Sequence, residues 1–306
     1  MDEVQTDSST HPKKALITAI AILAILAISI TLYFTQRSVK NDYDETKIPV
    51  TNTNNTTDTH NQTTIKVIEP DSVSTLESPQ KITTADGEQY FYYGAPEGQN
   101  NASPKKVIIS LPGHETTAES DYAAWKSHLT GGSYALASLN WWDGGEGTKA
   151  KYYSPSEVVA QTRQFLTAQG YVANDLVILE GFSRGSANSY AVIANDRGSG
   201  AVFDAAISAS GRYQSDFPWY EDKPNGTISP TFFKNVAWVL ACGGKDPSPE
   251  QGGCLGMAET KTFLVAHGAN VLAVLEDPNG NHGAFHLSSL DLPEQAIGLI
   301  AKALGI

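Results

Sequence analysis

From about residue 81 onward, short apolar runs alternate with amphipathic segments of helix length. The runs read QYFYYGA, KVIISL (Lys106 to Leu111), YALASLNWW, DLVILE (Asp175 to Glu180), FDAAISAS, VAWVLACGG and NVLAVLED. Between and after them lie SDYAAWKSHL, SPSEVVAQTRQFLTAQG, the stretch from Arg184 to about Asp196, MAETKTFLVAHG and LPEQAIGLIAKAL. Runs rich in Val, Ile and Leu suit strands buried on both faces, and helices between them supply the crossovers of a parallel sheet. The pattern predicts an α/β domain over residues 81–306, built on a doubly wound, mostly parallel sheet. No internal repeat is visible.

The N-terminal quarter has a different pattern. Ala15 to Phe34, ALITAIAILAILAISITLYF, is twenty residues without a charge. As a helix rising about 1.5 Å per residue it is long enough to cross about 30 Å of hydrocarbon. Bulky residues follow it where a signal peptidase needs small ones, so the segment reads as an uncleaved anchor. Lys13 and Lys14 before it, with Arg37 and Lys40 after it, favour a cytoplasmic tail over residues 1–14 only slightly. A short N-terminal tail supports the same orientation, which puts the rest of the chain outside the cytoplasm at a cell membrane. Residues 35–80 are rich in Asn, Thr and Asp with no apolar period; they cannot bury enough surface to offset ordering entropy and read as a disordered linker.

Composition narrows the partners. The 306 residues carry 21 basic and 33 acidic side chains, a net charge of −12. A nucleic-acid partner, which calls for a basic face, is not expected. No cofactor or metal is expected either.

Chemistry is concentrated where DLVILE ends, in Gly181-Phe182-Ser183-Arg184-Gly185. Open α/β sheets place their sites beyond the carboxyl ends of the strands. A sharp strand-to-helix turn there needs small residues on both sides, and it lifts the serine hydroxyl to the N-terminus of the next helix. In this setting the chain resembles the α/β-hydrolase superfamily, over roughly Lys81 to Ile306. The resemblance implies a serine hydrolase, most plainly a carboxylic ester hydrolase. Dienelactone hydrolase-like, feruloyl esterase-like and polyester depolymerase-like branches all fit.

The superfamily order is nucleophile, acid, histidine. After Ser183 the strand-end carboxylate is Asp246, in VLACGGKDPSP, and the strand-end histidine is His282, in VLAVLEDPNGNHGAFH. His286 and Asp277 are rivals; His286 enters the following segment, and Asp277 is too near His282 along the chain. One oxyanion donor is expected at the backbone N–H of Arg184. The other is expected in the turn after KVIISL, at His114 or Glu115, with His114 preferred. Many relatives carry His-Gly at this turn, whereas this chain carries Pro112-Gly113-His114.

Cys242 and Cys254 bracket the loop that bears Asp246. Outside the cytoplasm they can close a disulfide; the other reading is two separate buried thiols. Between the sixth and seventh strands of the sheet a short insertion, Gly211 to Phe233, is the expected cap. Its Phe217 and Trp219, together with Trp141 and Trp142, are candidate contacts for a small or polymeric ester, or equally the core of a lid. Two other functions share these features: a serine peptidase of the prolyl oligopeptidase type, and a non-catalytic binding module on a hydrolase scaffold.

Overall fold

The computed structural model describes residues 76–99, 104–114, 116–129, 133–142, 152–214 and 231–306. The expected anchor at 15–34 and residues 35–75 of the expected linker lie outside the described residues; the linker's last residues, 76–80, are ordered, with Leu76 buried and bridged to Pro96 and Gln80 opening a strand. Among those described, no helix is long and apolar enough to cross a membrane.

Eight strands form one sheet: β1 (Gln80–Thr83), β2 (Tyr90–Gly94), β3 (Lys106–Leu111), β4 (Ala135–Leu139), β5 (Leu176–Phe182), β6 (Ala205–Ala209), β7 (Ala237–Gly243) and β8 (Asn270–Asp277). The spatial order is β1-β2-β4-β3-β5-β6-β7-β8. β1 and β2 run antiparallel to their neighbours, and the six strands from β4 to β8 pair in parallel. Among the described residues six helices cover the sheet: α1 (Ala118–Lys126), α2 (Pro155–Ala168), α3 (Arg184–Ser199), α4 (Cys254–Ala266), the single turn α5 (Ala284–Leu287) and α6 (Leu292–Leu304).

The period-2 geometry of the strands divides the core in two. Val107, Ile109, Leu179, Trp238 and Leu240 face α2, α3 and α4. Their neighbours Ile108, Ile178, Val239 and Ala241 face α1, α5 and α6. Full burial of both faces explains why these strands read as unbroken apolar runs. Capping boxes at Thr117 and Ser154 start α1 and α2, with Pro155 in the first turn of the latter.

The chain goes from β3 to β4 on one side, then crosses back to β5 on the other. Loops leaving β3 and β5 therefore diverge, and a crevice opens between them at the carboxyl ends of the strands. The residues after β3 are Pro112-Gly113-His114; the residue after β5 is Ser183.

Two elements lack a counterpart in the sequence pattern. β1 is an edge strand with mostly exposed side chains, so it carries no apolar alternation. α5 is too short to show a helical period.

Candidate active site

Ser183 joins β5 to α3 with φ 54° and ψ −112°, a backbone conformation that L-residues rarely adopt. Two glycines make the turn possible by close approach. A Cβ at Gly185 would run into the carbonyl oxygen of Leu111, and one at Gly181 into that of Gly185. The turn is held at its base by Ser183 N–H donating to Ala209 O at 2.8 Å.

His282 lies beyond β8 and accompanies Ser183 directly: its Nε2 is 2.8 Å from Ser183 Oγ. Its Nδ1 is 2.7 Å from Asp246 Oδ2. A carboxylate only accepts, so Nδ1 carries the proton and Nε2 is left to accept from the serine hydroxyl. The carboxyl of Asp246 is almost wholly buried, and its second oxygen accepts the Ser248 N–H at 2.8 Å. Gly252 packs on the imidazole, where a Cβ would lie 2.7 Å from His282 Cε1. Ser183, Asp246 and His282, separated along the chain, thus meet at one point.

Backbone hydrogen bonds tie the two loops together: Gly244 N–H donates to Asp277 O and Lys245 N–H to Gly280 O, each at 2.8 Å. Cys242, at the end of β7, and Cys254, the first residue of α4, form a disulfide with their Cα atoms 5.1 Å apart. The bridge closes the loop that carries Asp246.

The rival residues have other occupations. Asp277 turns its carboxylate onto the backbone N–H of Asn279. His286 is half-buried against Trp125 and Phe182, and desolvation of its ring, with His128 nearby, pushes its pKa down to about 3.

His114 follows β3 and lines the crevice with Ser183 and Arg184. The turn approaches Ser183 closely, since a Cβ at Gly113 would lie 3.0 Å from that of Ser183. Glu115 lies outside the described residues. The crevice holds about 540 Å³, and Ser210, Gln214, Ser248 and Gln251 line it together with Ser183 and His282.

The aromatic expectations need correction. Trp141 is fully buried, and its indole N–H donates to Pro112 O at 3.0 Å, so it braces the turn after β3 and is out of reach of a substrate. Trp142 is also buried and lies outside the described lining; it stacks on Tyr152 and carries the Arg184 guanidinium 4.3 Å from its ring centroid. Phe217 and Trp219 lie outside the described residues.

One polar cluster beneath the site has no signal in the sequence. Ser110 on β3 places its hydroxyl 2.5 Å from Asp121 Oδ2 and 2.6 Å from Glu180 Oε2. Ser138 donates to the same Asp121 oxygen, and Trp125 donates to Glu180. A hydroxyl has one proton, so Ser110 donates to one carboxyl and must accept an O–H from the other. One of the two acids is therefore neutral. Burial pushes both carboxyls upward, and the charge of Asp121 adds to the rise at Glu180.

No protein-family model and no curated protein matches the chain. Solved structures do. An esterase from Rhizomucor miehei is 11% identical, with 76% of this chain and 85% of that one covered at a TM-score of 0.55. One from Pyrococcus furiosus is 14% identical over 75% and 90% at 0.51, and one from Pyrobaculum calidifontis 12% identical over 74% and 85% at 0.51. At such identity the likeness establishes the fold: the described domain has the α/β-hydrolase fold, as the resemblance of its sequence implied.

Proposed function

We propose that the protein is a carboxylic ester hydrolase acting through an acyl-enzyme on Ser183. The observation that carries this reading is the continuous hydrogen-bonded path from Ser183 Oγ through His282 to Asp246, at 2.8 and 2.7 Å, mounted on a strained strand-to-helix turn. Similar folds named as esterases support it.

In this mechanism His282 Nε2 takes the hydroxyl proton as Ser183 Oγ attacks the ester carbonyl. Asp246, already on Nδ1, holds the ring in the right tautomer and stabilises the imidazolium. Charge developing on the carbonyl oxygen is met by the N–H of Arg184, at the start of α3, and by the turn at His114. The intermediate collapses, the alcohol leaves with the proton from His282, and water repeats the sequence on the acyl-enzyme.

The same reading places the domain outside the cytoplasm, held to a membrane by the segment 15–34. It is supported by the length of that uncharged run and by a disulfide, which persists in oxidising compartments.

The test is hydrolysis of 4-nitrophenyl acetate by the parent and by Ser183→Ala and His282→Ala. Each variant is expected to lose about 10⁴-fold or more in kcat, and the double variant to be little worse than either alone, because the residues act as a unit. A folded Ser183→Ala protein that retains parental turnover would overturn the reading.

A further inference from the structure

The residue after Ser183 brings a side chain to the site as well as an N–H. Arg184 is half-buried and lines the crevice with Ser183, His114 and His282. Its guanidinium lies 4.3 Å from the ring centroid of Trp142. That indole is buried, stacked on Tyr152 and approached edge-on by His114, so it is a fixed platform. A cation resting on it is anchored in the wall of the crevice.

The charge does nothing for the helix it begins. Arg184 is the first residue of α3, where the positive end of the helix dipole disfavours a cation. Burial adds a second cost, and desolvation pulls the pKa of Arg184 downward. A cation kept against both costs at the mouth of a site points to an anionic ligand.

The rest of the described lining agrees. Among those residues Arg184 is the one lysine or arginine and Asp246 the one acid. Asp246 is bound to His282 Nδ1, on the far side of the imidazole from Ser183, and to the Ser248 N–H. Ala187 and Pro247 are the only apolar side chains in the described lining, which gives a long alkyl chain little surface to bury.

We propose that Arg184 is a specificity-determining residue, and that the crevice takes esters bearing one carboxylate on their acyl or alcohol part. The proposal rests on the esterase reading of Ser183. Stacking on Trp142 uses the face of the guanidinium, whereas its N–H edge is the part that meets a carboxylate bidentately. One cation balances one negative charge, which suits a carboxylate better than a phosphate of charge near −2. Held by its charged end, the ester has its carbonyl positioned against Ser183. The oxyanion donor at position 184 is backbone and persists whatever side chain stands there, so mutation separates the two roles.

The experiment compares kcat/KM of the full-length parent, Arg184→Met and Arg184→Lys on acidic esters, each paired with its near-isosteric amide. The pairs are monomethyl succinate with methyl succinamate, monomethyl adipate with methyl adipamate, and acetoxyacetate with acetoxyacetamide. Arg184→Met keeps a stem against Trp142 without the charge; Arg184→Lys keeps the charge without the fork. A general loss of folding or catalysis lowers both members of a pair and cancels from their ratio. The acid-to-amide ratio is expected to fall by about tenfold or more in Arg184→Met in at least one pair, and by less in Arg184→Lys. The pair that responds tells whether the carboxylate sits on the acyl or the alcohol side. Unchanged ratios in Arg184→Met for every pair, with 4-nitrophenyl acetate still hydrolysed, would overturn this proposal and leave the esterase reading standing. A parent that hydrolyses none of these esters, 4-nitrophenyl acetate included, would overturn both.

Discussion

Glu180 is three residues before Ser183, and its proton matters to more than its own carboxyl. With Asp121 it forms a buried pair joined through Ser110, reaching from β5 to β3 and α1, close to the turn that carries Ser183. The folded protein keeps a proton that the unfolded chain, with ordinary carboxyls near about 4, has lost at neutral pH. The native state thus binds more protons than the unfolded state above that range. Stability therefore declines as pH rises from about 4 through the raised range of the pair, and is fully present below it. Glu180→Gln keeps the volume and a donor without the titration. Its Tm is expected to fall less than the parent's between pH 5 and pH 8; parallel Tm curves would count against a shared proton. None of this is legible in the sequence, where Ser110, Asp121 and Glu180 read as polar residues in a strand, a helix and a strand end. The strand order that sets β3 beside β5 brings them together. Ser183 differs because its two glycines announce a close backbone approach at the point where an apolar run stops. Trp141 and Trp142 show the opposite case: an aromatic pair at a strand end has the same pattern whether it faces a substrate or the core.

At the scale of elements, the connection from β7 to α4 has the most to lose. It carries Asp246, it is pinned to the loop after β8 by two backbone hydrogen bonds, and it is closed by the Cys242–Cys254 bridge across a sequence separation of 12. Closing such a loop stabilises the fold by roughly 3 kcal/mol in the chain-entropy model, against about 5–15 kcal/mol for a whole domain. Cys242→Ser with Cys254→Ser is therefore expected to lower Tm and kcat together while far-UV circular dichroism at 25 °C is unchanged. A lower Tm with full kcat would mean that hydrogen bonds and packing alone order the acid loop. The six parallel strands and five longer helices were legible because each is either fully apolar or bounded by caps and glycines. The exposed edge strand β1 and the one-turn α5 were not, since neither buries a face with a recognisable period. The pairing of Asp246 with His282 is intermediate: the order of the residues pointed to it, and the distance needed β7 and β8 side by side.

The whole molecule joins a hydrolase-fold domain to a long polar stretch and an uncharged run of twenty residues. Full-length protein is expected in the membrane fraction, released by detergent and resistant to carbonate at high pH; recovery of the intact chain in the soluble fraction would contradict an anchor. Net charge of −12 adds long-range repulsion toward anionic surfaces, so attachment should depend on the apolar run and be insensitive to salt. The central claim, that Ser183 is an activated nucleophile, is tested most directly by mass spectrometry of the full-length protein after treatment with a fluorophosphonate. The expected result is a single covalent adduct on the peptide containing Gly181-Phe182-Ser183-Arg184-Gly185, formed rapidly in the parent and absent in His282→Ala. No adduct, or an adduct on another serine, would contradict the account.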